Sequence, residues 1–259
     1  MTDVAPADSP CVWLRLDRPV PRPVAVGMAR ALEVAVRARF ELLVAGGNPA
    51  AVPVALRPVG RTDGDGPFAQ WLPLPDGPGP EAGIGGACIR LPAGTAGHVV
   101  VGVAVAAGAL GELTVPGPGI TTRVRLFDGA AEPAWTHPSR WQGPARRFRT
   151  VFPIVHDLVG GDPTDAVVRR WCRQVGLPDP VVTTVRAVDI PAGLDVDLPD
   201  GTGPDGMATP GGMAAPDGTA GPSRAACQVE LRFDTAVSGP FAIGPARHHG
   251  PGLMVPDRP

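Results

Sequence analysis

The sequence has no lysine and no tyrosine, so its 23 basic side chains are all arginines. Alanine, valine, glycine and proline are abundant, a composition typical of a high-GC genome in which codon usage favours arginine over lysine. The arginine excess alone is therefore no signal of nucleic-acid binding. The net charge of −2 excludes a uniformly basic binding protein. A length of 259 residues with 44% hydrophobic content allows one large domain or two small ones.

Cysteine is scarce, and long apolar runs and targeting segments are missing. The four cysteines, Cys11, Cys88, Cys172 and Cys227, show no metal-binding spacing, so each is predicted to be a small buried apolar residue. The longest apolar stretch, Val99–Leu110, is too short to cross a bilayer. The first ten residues do not resemble a signal peptide and are predicted to be disordered. We expect a cytoplasmic protein that uses no metal, no cofactor and no membrane.

Charge is unevenly distributed along the chain. Residues 187–222 contain six aspartates and no basic residue, which leaves 23 arginines against 19 acids elsewhere. Four arginines lie within ten residues of one another: Arg140, Arg146, Arg147 and Arg149. They predict a local basic surface that could bind phosphate groups; the alternative is an ordinary solvated arginine face.

The first half of the chain alternates strand and helix patterns. A helix is predicted over Val24–Val44, where Met28, Leu32 and Phe40 recur on one side and Glu33 and Arg37 lie on the other. Apolar alternation between turns predicts four strands: Cys11–Leu16, Pro67–Pro75, Ala87–Pro92 and Ile120–Phe127. The run Val99–Ala109 fits either a helix or a buried strand.

The second half repeats this plan. Three strands are predicted: Phe148–Val155, Val181–Ile190 and Cys227–Phe233. A helix is predicted to begin at Asp162, with Asp162 as its N-cap and Pro163 in its first position. Residues 192–223 form a predicted mobile loop. The order of elements predicts an α+β fold of two tandem ferredoxin-like (RRM-like) units, over residues 11–130 and 135–256, with a glycine-rich loop at the end.

Residues Ser238–Pro256 read SGPFAIGPARHHGPGLMVP, an apolar strand–turn–strand punctuated by glycines. This segment resembles the C-terminal glycine-rich loop of the RAMP superfamily of CRISPR-associated proteins. It is similar above all to the end of the repeat-processing module in the type I-U (I-G) fused subunit. The matching positions are Gly239, Pro240, Gly244, Arg247, His248, Gly250, Gly252 and Leu253. Three further segments resemble that family in the same order: WLPLPD (71–76), FRTVFPIVHD (148–157) and GLPDPV (176–181).

The resemblance implies a protein that binds CRISPR repeat RNA and works beside other subunits of an effector complex. It implies RNA contacts from four residues of the tail: Gly244, Arg247, Gly250 and Gly252. The basic surface predicted from the arginine cluster would add RNA contacts from Arg140, Arg146, Arg147 and Arg149. The resemblance also implies metal-independent cleavage by attack of a 2′-OH on the adjacent phosphate, with His248 and His249 as the catalytic candidates. Glycines permit close backbone approach to a ligand, and arginine grips phosphate through two hydrogen bonds.

The sequence departs from the family at one point, because no histidine precedes the WLPLPD segment and none lies in the first predicted helix. Three hypotheses follow. The chain is an endoribonuclease that processes precursor CRISPR RNA, or a non-catalytic RNA-binding subunit of the interference complex. The third hypothesis is an unrelated pair of ferredoxin-like units that binds a small ligand or a protein, with the tail as a tight hairpin.

Overall fold

A computed structural model describes residues 9–57, 68–79, 81–129, 135–156, 163–190 and 225–257 of the chain. It is an α+β protein with two antiparallel sheets and few helices, as the sequence predicts at that level. The predicted disordered start, apart from Ser9 and Pro10, and the predicted loop 192–223 lie outside the described residues.

The first sheet has five strands in the order β2-β3-β1-β5-β4. They are β1 (Cys11–Val20), β2 (Gln70–Pro75), β3 (Ile84–Arg90), β4 (Gly111–Val115) and β5 (Ile120–Leu126). Strand β4 was not predicted. It forms a hairpin with β5. Buried Leu113 and Val115 alternate with exposed residues, and a proline- and glycine-rich turn follows them. This two-residue alternation before a turn is the pattern that predicts a strand.

Two helices pack against this sheet. Helix α1 (Ala25–Leu43) begins and ends within one residue of its predicted bounds and buries Met28, Leu32 and Phe40. The ambiguous alanine–valine run is the helix α2 (Gly97–Gly108). A Cβ at Gly102 would lie 2.7 Å from a ring carbon of Phe40, so this glycine lets α2 approach α1 closely.

The second sheet is built from the other half of the chain. Its main path is β10-β11-β6-β9-β7, and β8 pairs with β9. The strands are β6 (Pro144–Thr150), β7 (Ile154–His156), β8 (Val182–Val188), β9 (Ala225–Ser238), β10 (Phe241–Ala242) and β11 (Leu253–Pro256). Strands β6 and β7 both pair with β9, in register steps that make them successive parts of one interrupted strand.

Two short helical segments accompany this sheet. Helix α3 (Pro138–Trp141) precedes β6, and helix α4 (Asp165–Gln174) buries Trp171 and Cys172 against the sheet. The predicted start of α4 was wrong: its first helical hydrogen bond runs from Val168 N–H to the carbonyl of Thr164, so Thr164 occupies the cap position. Asp162 lies outside the described residues. Proline at 163 therefore precedes the helix rather than opening it.

Three of the four cysteines are buried as predicted, while Cys11 is half-buried on β1. None of the four, all of which lie in the described part of the chain, forms a disulfide. Burial raises the pKa of the Cys172 thiol to about 12 and the pKa of the Cys88 thiol well above its ordinary value. These thiols stay protonated and act as small apolar side chains.

The two sheets share one core. Trp141, Phe152 and Leu253 of the second half pack into the same cluster as the buried residues of β1, β2 and β3. We call the region where the two sheets meet the seam. It also contains a polar connection, in which the buried side-chain amide of Gln70 donates to the carbonyl of Ala242 at 2.8 Å and accepts from its N–H at 3.2 Å. Glutamine thus extends the ladder of the edge strand β2 to the edge strand β10.

Replacing Gln70 by alanine should lower the free energy of unfolding by about 1–3 kcal/mol, because both backbone groups of Ala242 would be buried without partners. Urea unfolding at equilibrium measures the change. The matched control is Gln228→Ala on the exposed side of β9, which should change stability by less than about 0.5 kcal/mol. Equal losses in both variants would contradict the role given to Gln70.

Candidate nucleic-acid interface

The segment Gly239–Pro256, here called the glycine-rich tail, is buried between the two halves. It contains β10, a 3₁₀ turn over Arg247–His249 and β11. Gly244, Gly250 and Gly252 have φ of 100°, 101° and 78°. A Cβ at Gly252 would lie 1.9 Å from the carbonyl oxygen of Ile243, and one at Gly250 would lie 2.5 Å from Pro73. These glycines are required by contacts inside the protein.

Two of the predicted tail residues lie in the seam. Arg247 is 4% exposed and donates to the carbonyl of Gly244 at 3.3 Å. His248 is 7% exposed; its Nδ1 lies 3.2 Å from the carbonyl of Ala69, and its ring meets Phe68 edge to face. Among the described residues nothing bonds its Nε2. The carbonyl contact requires a proton on Nδ1, so Nε2 carries a lone pair within the protein.

Burial and, to a smaller extent, the neighbouring charge of Arg247 lower the pKa of His248 to about 3, against the opposite effect of the bond to Ala69. His248 is therefore neutral at physiological pH. Its side chain packs and orients the tail against the strand that begins at Gln70.

His249 is the tail histidine that reaches the surface. Its side chain is 21% exposed, and its Nε2 lies 2.7 Å from Oε2 of Glu33 on α1. The other oxygen of Glu33 lies 4.0 Å from the guanidinium of Arg37. Glu33 and Arg37 lie on the same side of the helix, as predicted, but the tail covers Glu33, which was expected on the outer side. A carboxylate at Nε2 leaves Nδ1 as the proton acceptor.

The second sheet presents arginines on an open face. In β6, Arg147 and Arg149 alternate with the buried Phe148; in β9, Arg232 alternates with the buried Leu231. The strand registers add Arg186 of β8 to the same face. We call this set of four arginines, 147, 149, 186 and 232, the open arginine face. All four are exposed, and none has a hydrogen bond or ion pair among the described residues.

Arg147 and Arg232 stand directly opposite each other on neighbouring antiparallel strands. Like charges at such positions destabilise a sheet. Together with Arg146, which sits at an irregularity in the register of β6, they line a cavity of about 320 Å³ that also contacts Phe233 and Asp234. The lining of this cavity therefore contains three guanidinium groups and one carboxylate, that of Asp234. A second carboxylate, Glu230, lies on the same face of the sheet opposite Arg149.

Arg140, the remaining member of the predicted cluster, lies elsewhere. It is exposed on α3, and its guanidinium carbon lies 3.3 Å from the centre of the Trp135 ring. The Nδ1 of His137 caps this helix by accepting from the N–H of Ser139. The structure thus brings Arg146, Arg147 and Arg149 together on β6 and places Arg140 on the short helix before them.

Sequence reasoning missed three residues of these sites: Arg186, Arg232 and Glu33. Alternation within CQVELRF puts Arg232 on the side opposite Val229 and Leu231, so its exposure was readable. Its position opposite Arg147 depends on the strand register, which the sequence does not specify. The contact of Glu33 with His249 joins residues 216 apart and had no local signal.

No known protein-family model matches this chain, and a search of curated proteins finds no similar sequence. Within the described part of the chain, no helix has the length and apolar character needed to cross a bilayer. Over the same residues, histidine, cysteine, aspartate and glutamate do not gather in groups of three or more that could hold a metal ion.

The low pKa of His248 predicts acid sensitivity. Its folded-state pKa of about 3 lies below the ordinary value of 6.5, so the unfolded chain takes up this proton first as pH falls. Stability should fall by up to about 1.4 kcal/mol per pH unit from pH 6.5 toward pH 3 through this residue. Asparagine offers an N–H donor to Ala69 but does not titrate. The difference in unfolding free energy between His248→Asn and the wild type, from urea melts at several pH values, isolates the effect; parallel curves would contradict it.

Proposed function

We propose that this chain binds CRISPR repeat RNA through the open arginine face and serves as a subunit of a type I effector complex. The observation that carries the proposal is the row of four exposed arginines on one side of the second sheet. Glu230 stands opposite Arg149 on this face, but none of the four arginines forms an ion pair among the described residues. The resemblance of the tail to the RAMP superfamily supplies the identity of the RNA. The other subunits of the complex belong to the proposal on the same ground, as does a cytoplasmic location.

The strand orders support two ferredoxin-like units, which we propose for residues 11–130 and 135–256. In the first sheet, the order β2-β3-β1-β5 with helices after β1 and β3 is the arrangement of a β-α-β-β-α-β unit, and β4 adds an edge. In the second, β6 with β7, α4, β8, β9 and β11 follow the same path. There the glycine-rich tail stands in place of the second helix.

RNA-recognition sheets of this class usually stack bases on aromatic side chains. Among the described residues, the outward positions of β6, β8 and β9 carry no aromatic residue, since Phe148 and Phe233 face the core. The open arginine face therefore offers contacts to phosphates rather than to bases. Recognition of a particular repeat then depends on the shape of the RNA and on the partner subunits.

Removing two of the arginines should weaken RNA binding and reduce its salt dependence. Arg147→Gln with Arg232→Gln should raise Kd for repeat RNA at least about tenfold, and each lost phosphate contact should reduce the slope of log K against log salt by about 0.7. Fluorescence anisotropy with labelled repeat RNA, at salt concentrations from about 50 to about 300 mM, measures Kd and the slope of log K against log salt.

Arg123→Gln is the matched control, because Arg123 is an exposed strand arginine of the first sheet that stands opposite Glu112. It should leave affinity and slope unchanged. An unrelated RNA of equal length tests preference for the repeat. Equal binding of both RNAs by the wild type would argue against a CRISPR role, and an unaltered double variant would exclude the open arginine face.

A second function, metal-independent cleavage of the precursor RNA, is favoured by the contact between His249 and Glu33. A carboxylate that holds Nε2–H fixes the tautomer in which Nδ1 accepts a proton, as a general base for a 2′-OH requires. Within this proposal His249 is the catalytic residue and Glu33 positions it. His248 has a structural role, because it packs the tail against β2. Cleavage leaves a 2′,3′-cyclic phosphate and a free 5′-OH. The proton lost by the 2′-OH is balanced by the proton gained by the leaving 5′-oxygen, so the reaction consumes no other reactant.

Cleavage should survive EDTA and fall at least about 100-fold in His249→Ala. Glu33→Gln should retain part of the activity, because glutamine can still accept a hydrogen bond from Nε2. Denaturing gels of end-labelled repeat RNA follow the product. The control variant is His98→Ala, because His98 is an exposed residue of α2. Tight binding by the wild type without any product would favour the non-catalytic subunit, and cleavage that persists in His249→Ala would exclude this residue as the base.

A further inference from the structure

Arg90, at the end of β3, is a buried cation that forms no ion pair with an acid among the described residues. It is 9% exposed. Its NH1 donates to the side-chain oxygen of Gln70 at 3.5 Å, and that oxygen already accepts from Ala242 N–H. Among the described residues no carboxylate lies within ion-pair distance of Arg90. A guanidinium has five N–H donors, so the described residues use only a small part of its hydrogen-bonding capacity.

Burial of an unpaired charge is costly, and proteins normally pair such a group or expose it. Burial is the main cause that lowers the pKa of the Arg90 guanidinium. Arg22 shows the contrast, because this half-buried arginine donates to the carbonyls of Gly79 and Val151 at 3.0 and 2.6 Å. The described part of the chain offers Arg90 no comparable set of acceptors.

Arg90 lines a cavity of about 450 Å³ at the junction of the two halves. Ser9, Gln142 and Ser238 supply further polar groups to its wall. The apolar side is formed by Val175, Leu177 and Val237 of the second half. This volume and this mixture of lining groups are those of a site for a small molecule, and the junction of two packed units is a common place for one.

We propose that this cavity binds a small molecule through an oxyanion, a phosphate or a carboxylate, held by Arg90. The guanidinium fork matches either group with two parallel hydrogen bonds. Ser238 and Gln142 contact the polar part of the ligand, and the apolar wall covers the remainder. The site is separate from the open arginine face and does not depend on RNA binding.

Thermal unfolding of the full chain tests the site directly. Sodium phosphate, AMP and citrate are compared with sodium chloride at equal ionic strength, so that general salt effects cancel. At ten times its Kd a bound anion should raise Tm by about 4 °C. A response to phosphate or AMP identifies the phosphate group as the one bound, and a response to citrate alone identifies the carboxylate. No response of the wild type to any of the three overturns the proposal.

Arg90→Met removes the charged guanidinium and keeps an unbranched side chain about as long as the aliphatic part of arginine. It should raise Kd for the responding anion about 10- to 100-fold, and its Tm in chloride should equal or exceed that of the wild type, because a buried unpaired charge is lost. Arg22→Met is the matched control: it loses bonded acceptors, so it should unfold at a lower temperature yet keep the anion response. An undiminished response in Arg90→Met overturns the proposal.

Two measurements keep the result independent of the other sites and of the variant's folding. The anion response should persist in the Arg147→Gln, Arg232→Gln double variant; its loss there would assign the anion to the open arginine face and overturn the proposal. In the wild type, titration with the responding anion should shift the amide NMR signals of Gly143 and Gly239 on the cavity wall, but not that of Gly111 on β4. Unshifted wall signals would also overturn it.

Discussion

The structure depends on one polar contact between two sheet edges, the double hydrogen bond of the Gln70 amide with the backbone of Ala242. Edge strands expose N–H and C=O groups that need partners once they are buried. A glutamine side chain has the donor and acceptor of a peptide group, so it can complete the edge of β10 where no further strand fits. Around this contact the tail closes over β2, and the two halves gain a common core.

The glycine-rich tail has a different physical role from the one its composition indicates. Glycines allow close approach to a ligand, and equally close approach between two parts of the same chain. At Gly252 the near neighbour is the carbonyl of Ile243 and at Gly250 it is Pro73, so the space a ligand would need is occupied by protein. The cationic surface available to a polyanion lies beside the tail, on β6, β8 and β9.

The sequence predicted the regular elements with local signals and missed what depends on distant contacts. The apolar spacing of α1 located that helix to within a residue, and alternation located β5 and β9. The start of α4 was misplaced because an aspartate followed by a proline can also lie just before a helix. Here Thr164, and not Asp162, is the N-cap residue. Burial of His248 was not predictable, since it follows from packing against Ala69, 179 residues earlier in the chain.

Within the candidate sites, the sequence predicted the arginines of β6 but not their partners. Arg147 and Arg149 alternate around Phe148, which is readable, whereas Arg232 joins them only through the register of β9. Arg90 looked like an ordinary strand residue, and the seam made it a buried cation. Local patterns thus specify which way a side chain faces, and the assembly of the two halves specifies its environment.

The seam also sets an order of events during synthesis. Gln70 and Ala242 are separated by 172 residues, so a ribosome adding about 5–20 residues per second needs roughly 10–30 s between making one partner and the other. During that interval β2 is an unprotected edge whose polar groups and apolar neighbours can pair with other chains. Its two prolines, Pro73 and Pro75, lack N–H donors and so make that waiting edge a poor template for aggregation.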